Sequence, residues 1–136
     1  MTFVIPQNFE ELVAMKDMLD TFDGDVVRFE DDEAKYQKYL ESLPRGELLQ
    51  KIKEKIGEEG IALLSNDFPY TRVLSNLPHV RHYCLWSLKG ELDKNQIKNE
   101  VEKSVAGRYF AVERSLYRKS IPEIWHTHVF VEENGV

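Results

Sequence analysis

All four histidines of the chain fall in two short clusters, His79-Val80-Arg81-His82 and His126-Thr127-His128. Each borders an apolar run of strand character, Tyr83-Cys84-Leu85-Trp86 after the first and Val129-Phe130-Val131 after the second. Side chains two apart on a strand share a face, so the spacing puts His126 and His128 together on one side of a sheet. Imidazole titrates near neutrality, ligates metals and attacks phosphorus. The pattern marks a candidate site of His82, His126 and His128, open to two chemistries.

In the first, a strand histidine acts on a phosphoryl group. His126 is the expected nucleophile or base, while His128, Arg118, Lys119 and Ser120 steady the phosphate oxygens. The turn Asn66-Asp67-Phe68-Pro69-Tyr70 leads toward the strand that carries His82, and such turns are where pockets form. It adds Asn66, Asp67 and Tyr70 as ligand-binding candidates. This chemistry calls for no cofactor.

In the second, His82, His126 and His128 hold a divalent transition metal with an open position, and Asp67 or Glu132 is the fourth ligand. The run from His126 to Glu132 is similar to a cupin strand, but the glycine that pattern wants six residues before His126 is absent. Histidines at a strand edge also serve a purely structural role, bonding buried carbonyls. His79 follows Pro78 in an expected exposed turn and stays outside the site. Cys84 reads as a buried, inert thiol, and Trp86 and Trp125 as packing residues.

The elements that must position these groups are legible in part. Asn8 with Glu11 three residues on is a capping-box signal. Phe9, Leu12, Val13, Leu19 and Phe22 then follow at helical spacing up to Gly24. A second helix is expected from Asp31 to about Leu43, and a third from Gly46 to Ile56, ended by Gly57. After Gly60 the texture changes to short apolar runs: strands are expected at 82–88, 108–112 and 124–132, with a helix over 93–105. The expectation is one α+β domain, helical over 1–60, with an antiparallel-rich sheet over 61–136 that carries both histidine clusters.

The chain has 136 residues, 42% of them hydrophobic and 31% charged, a globular balance. No apolar run reaches the roughly 18 residues of a membrane span, and the N-terminus lacks the basic flank of a secretory signal. With one cysteine and no internal disulfide, a cytoplasmic protein is expected. Residues 1–67 carry 16 acidic against 8 basic groups, whereas 68–136 carry 10 basic against 8 acidic. The histidine-bearing half suits a small anion such as a phosphate but is too weakly basic for duplex nucleic acid. The acidic helical half is a candidate face for a basic protein partner.

Three motifs also carry a resemblance: Asn-Asp-Phe-Pro-Tyr at 66–70, His-Tyr-Cys-Leu-Trp-Ser at 82–87, and Lys-Ser-Ile-Pro-Glu-Ile-Trp-His-Thr-His-Val at 119–129. In this order they resemble an uncharacterised family of fungi and some large viruses, whose fungal members are called N-acetylglucosamine-induced proteins. The resemblance extends to helices that include Tyr36, Tyr39 and residues 52–57. It implies a site of Asn66, Asp67, His82, Trp86, His126 and His128, and no particular chemistry. The chain is more distantly similar to histidine-triad nucleotide hydrolases, in which His126 would be the nucleophile and His128 the last histidine. Ile124 stands where that motif has its first histidine, so this similarity leaves phosphate binding open and does not imply full triad catalysis.

Overall fold

Asn8 caps the first helix, α1 (Phe9–Ala14), by accepting the Glu11 N–H at 2.8 Å. The Glu11 carboxylate turns back to the N–H of Gln7 at 3.1 Å, one residue before the cap. These contacts come from a computed structural model that describes residues 3–19, 21–112 and 121–133. The single helix expected up to Gly24 is broken. The Met15 N–H is shared between the carbonyls of Glu11 and Leu12, which tightens the turn, and a short α2 (Lys16–Leu19) follows. Leu12 and Leu19 both stay buried across this break. Gly24 opens α3 (Gly24–Val27) instead of ending the run.

Four acidic residues, Glu30 to Glu33, occupy the first turn of α4 (Glu30–Glu41), where they complement the helix dipole. Asp32 also accepts the Thr71 hydroxyl at 2.8 Å, and Thr71 accepts the Phe29 N–H at 3.2 Å. This side-chain bridge fastens the start of α4 to the segment leading into the sheet. Helix α5 (Arg45–Ile56) buries Leu48, Ile52 and Ile56 at helical spacing.

The sheet has four strands: β1 (Ile61–Ser65), β2 (Val80–Ser87), β3 (Arg108–Val112) and β4 (Trp125–Glu132). Their spatial order is β1-β2-β4-β3, antiparallel throughout. Helices lie mostly in the N-terminal half and strands in the C-terminal half, an α+β fold. Between β2 and β3 runs α6 (Lys94–Glu102). It opens on a reciprocal capping box of Asp93 and Gln96 that the sequence reading passed over.

Strand β4 is buried at every position from His126 to Val131 because both faces of the sheet are covered. On one face Leu85, Val129 and Val131 pack with Leu92 and Val101 under α6. The opposite face meets the N-terminal helices in two separate apolar clusters. One joins Phe9, Leu12, Leu19 and Val27 to Phe110 and Phe130. The other joins Leu48, Ile52 and Ile56 to Ile121, Ile124 and Trp86. The register sets Trp86 opposite His126, Cys84 opposite His128, and His82 opposite Phe130. Polar side chains therefore occupy the seam between the two apolar clusters.

Candidate functional site

A cavity of about 400 Å3 opens at that seam, within the roughly 300–1,000 Å3 of small-molecule sites. Cys84, Trp86, His126 and His128 contribute from β2 and β4, Tyr36 and Tyr39 from α4, and Phe68 from the turn. Tyr36 and Tyr39 each lie 5.1 Å from the Phe68 ring, forming an aromatic wall. Lys55 and Asp67, both exposed, form a 3.4 Å ion pair among the lining residues. A larger, more open groove lies between α1, α6 and β3, away from the histidines. Its polar groups are already paired: Arg108 with Glu10 and Glu132, and Tyr109 with Glu102.

Backbone groups, whose donor and acceptor roles are fixed, assign the protons in the cluster. The carbonyl of Ile124 lies 2.9 Å from His126 Nδ1 and can only accept. Nδ1 therefore carries the proton, and the neutral ring has its lone pair on Nε2. The same ring stacks on Trp86 with centroids 4.2 Å apart. His82 has the opposite tautomer. The Tyr70 N–H donates to its Nδ1 at 3.1 Å, so the proton sits on Nε2. From there it is donated to His128 Nδ1 at 2.8 Å. His128 is left with its own proton on Nε2, directed at the Tyr70 hydroxyl oxygen at 3.3 Å. Tyr70, His82 and His128 thus close a ring of hydrogen bonds.

Asn66 is fixed by accepting the Phe68 N–H at 2.8 Å through its side-chain oxygen, which turns its amide nitrogen toward Cys84 Sγ at 3.5 Å. That nitrogen is also 3.4 Å from His82 Nε2, but two donors meet there, so the bond goes to sulfur. Cys84 Sγ lies 3.6 Å from His128 Nδ1. A thiolate–imidazolium pair would need a proton on that nitrogen, which already accepts from His82. The hydrogen-bond ring thus leaves His128 Nδ1 no proton to share with Cys84. Cys84 is nonetheless part of the site, which the sequence reading missed, although its place two residues after His82 puts both on one face.

The ligand atoms of His82, Cys84 and His128 lie within 4.8 Å of one another and could hold a metal ion. This corrects the expected ligand set, because Cys84 replaces His126. The His126 ring centroid is 5.9 Å from that of His128, edge to face, and its Nδ1 is engaged by Ile124. Glu132 is excluded as a fourth ligand. It stands four residues along β4 from His128, roughly 13 Å at strand rise, and its carboxylate is bonded to Arg108 at 2.8 Å. Asp67 is among the lining residues, paired with Lys55.

Of the expected ligand-binding residues, Asn66, Asp67, Tyr70, His126 and His128 all line the cavity. His82 is buried at 4% exposure and supports His128 without lining the cavity. His79 is exposed, as expected. Arg118, Lys119 and Ser120 fall outside the described residues. One lining residue had no signal in the sequence. Arg28, a lone arginine between two short helical patterns, is buried against Glu33 and the Phe68 carbonyl.

No protein-family model and no curated protein matches the chain. A solved structure described as "Crystal Structure of HTC1" superposes on it with a TM-score of 0.62. The match covers 91% of this chain and 84% of that one at 17% identity. This likeness supports the α+β fold and carries no information about the cavity. Among the described residues, no helix is long and apolar enough to cross a membrane.

Proposed function

We propose that the cavity binds a phosphorylated small molecule, a nucleotide or a sugar phosphate, and that His126 acts on its phosphoryl group. One observation carries this reading: on a ring that lines the cavity, the bond from Nδ1 to Ile124 leaves the lone pair on Nε2. As a base, Nε2 takes a proton from a water whose oxygen bonds to phosphorus as the bond from phosphorus to the leaving oxygen breaks, and the proton held on Nε2 then passes to that leaving oxygen. The faces of Tyr36, Tyr39 and Phe68 accommodate the remainder of the ligand. The motifs at 66–70, 82–87 and 119–129 further support placing the chain with the fungal and viral family they resemble. Calorimetric titration with nucleoside monophosphates and hexose phosphates, each against its dephosphorylated counterpart, tests the ligand class. Phosphate-dependent binding is expected, with hydrolysis lost in His126→Ala. If no phosphorylated compound binds, the reading is wrong.

The proximity of His82, Cys84 and His128 favours a second reading, a bound transition metal. Tetrahedral zinc, with bonds near 2.0–2.1 Å to nitrogen and 2.3 Å to sulfur, sets nitrogen–nitrogen and nitrogen–sulfur separations of roughly 3.3 and 3.6 Å. The His128–Cys84 distance of 3.6 Å already fits, while the His82–His128 distance of 2.8 Å must open. His82 must also move its proton to Nδ1 and give up the Tyr70 N–H. These two demands place the metal reading second. Metal analysis of purified protein separates the readings. One equivalent lost in Cys84→Ala but kept in His126→Ala would favour the metal.

A further inference from the structure

The link between α3 and α4 holds a cation that the reading above does not use. The Arg28 side chain is 6% exposed, rare for arginine unless its donors are engaged. Nε donates to the Phe68 carbonyl at 2.8 Å and Nη1 to Glu33 at 2.9 Å. Glu33 is itself held by the Gln37 amide at 2.6 Å. The guanidinium lies 4.4 Å over the Tyr36 ring and 5.1 Å from the Tyr70 ring, so its orientation is fixed from two sides. Nη2 has no hydrogen-bond partner among the described residues. Nor is it one of their sealed polar atoms, and Arg28 itself lines the cavity.

We infer that Arg28 is the anion anchor of this cavity, its Nη2 edge taking the oxygens of the ligand's phosphate. The inference rests on the proposed ligand class and names the residue that selects it. A guanidinium held by a carboxylate on one edge keeps its remaining donors in a fixed fork, the geometry that suits a phosphate. Among the described residues, the other charges facing the cavity are few. Glu33 of α4 offsets part of the Arg28 charge, and Lys55 of α5 is paired with Asp67. Binding therefore depends on directed hydrogen bonds more than on net positive charge. It also depends on how much of the Arg28 charge Glu33 cancels.

Titration of the whole protein with inorganic phosphate at constant ionic strength, followed by NMR, tests the inference. The wild type should bind, with shifts at the Arg28 Nε and the His126 ring. Arg28→Lys keeps the charge but loses the fork, and should bind about tenfold or more weakly. Glu33→Gln retains a carbonyl acceptor for Arg28 and removes the opposing charge. It should bind roughly three- to tenfold more tightly. The second variant decides the matter if the first fails to fold. Binding no tighter in Glu33→Gln overturns the anchor role while leaving the ligand class standing. Failure of wild-type protein to bind any phosphate-bearing compound overturns both.

Discussion

The amide N–H of Tyr70 reaches Nδ1 of His82 at 3.1 Å, and this bond sets the proton on His82 and, through it, on His128. An amide N–H can only donate, so His82 must donate from Nε2, His128 must receive at Nδ1, and His128 must donate from Nε2. His126, bonded to a carbonyl instead, holds its proton on the other nitrogen. Nitrogen-15 spectra of the histidine rings at mildly alkaline pH should show Nε2–H for His82 and His128 and Nδ1–H for His126. A proton on His82 Nδ1 would contradict the assignment and remove the main obstacle to a metal.

Replacing His82 with phenylalanine keeps a ring in place of the one that stacks on Phe130 at 4.4 Å. It strands the Tyr70 N–H and takes the donor from His128 Nδ1. A buried polar group left unpaired costs about 1–3 kcal/mol. Urea unfolding of His82→Phe should show a loss of that size at unchanged slope. Wild-type stability would mean that the hydrogen-bond ring contributes nothing to folding.

Two glycines should respond in opposite directions to alanine. Gly107 has φ of +108°, and a Cβ there would run into the backbone carbonyl oxygen of Glu132. Strain and overlap together should cost about 2–4 kcal/mol in Gly107→Ala. Gly46, at the start of α5, has nothing within 4 Å of the added Cβ. Gly46→Ala should gain about 0.5 kcal/mol by restricting the unfolded chain. Thermal melts of the two variants beside the wild type check both signs.

Stability should fall in alkali. Burial and the hydrogen bond to Glu102 push the Tyr109 hydroxyl up to about 12 from its ordinary value of 10.0. Between those values the unfolded chain has released the proton and the folded chain still holds it. Folding then takes up a proton, so raising the pH weakens it. Tyr83 is raised in the same direction by burial and by Glu133. Tyr109→Phe should flatten the decline of the urea midpoint across this window. An equally steep decline in that variant would assign the loss to other groups.

The parts of the fold written in local pattern were legible in the sequence. A short apolar run identified 108–112 as a strand, and the apolar spacing of Leu48, Ile52 and Ile56 identified a helix that Gly57 ends. Strand parity correctly put His126 and His128 on one face, but parity carries no depth. It could not show that His82 lies beneath His128 and not beside the cavity. The break at Met15 was hidden because the residues after it continue to bury apolar side chains. Arg28 was illegible for a different reason. Its meaning comes from Phe68, Tyr70 and Tyr36, three residues that no spacing rule connects to it.

The cavity joins segments far apart in sequence: Arg28 and Tyr36 precede β1, whereas His126 and His128 belong to β4. Contacts between such distant segments form only after the intervening loop has closed, which makes them slow. On a ribosome the helices and β1 emerge first, but β4 must insert between β2 and β3 before either histidine is in position. An emerging chain thus carries the arginine and the aromatic wall for some time with no floor beneath them. The cavity is complete in each molecule only when β4 is seated.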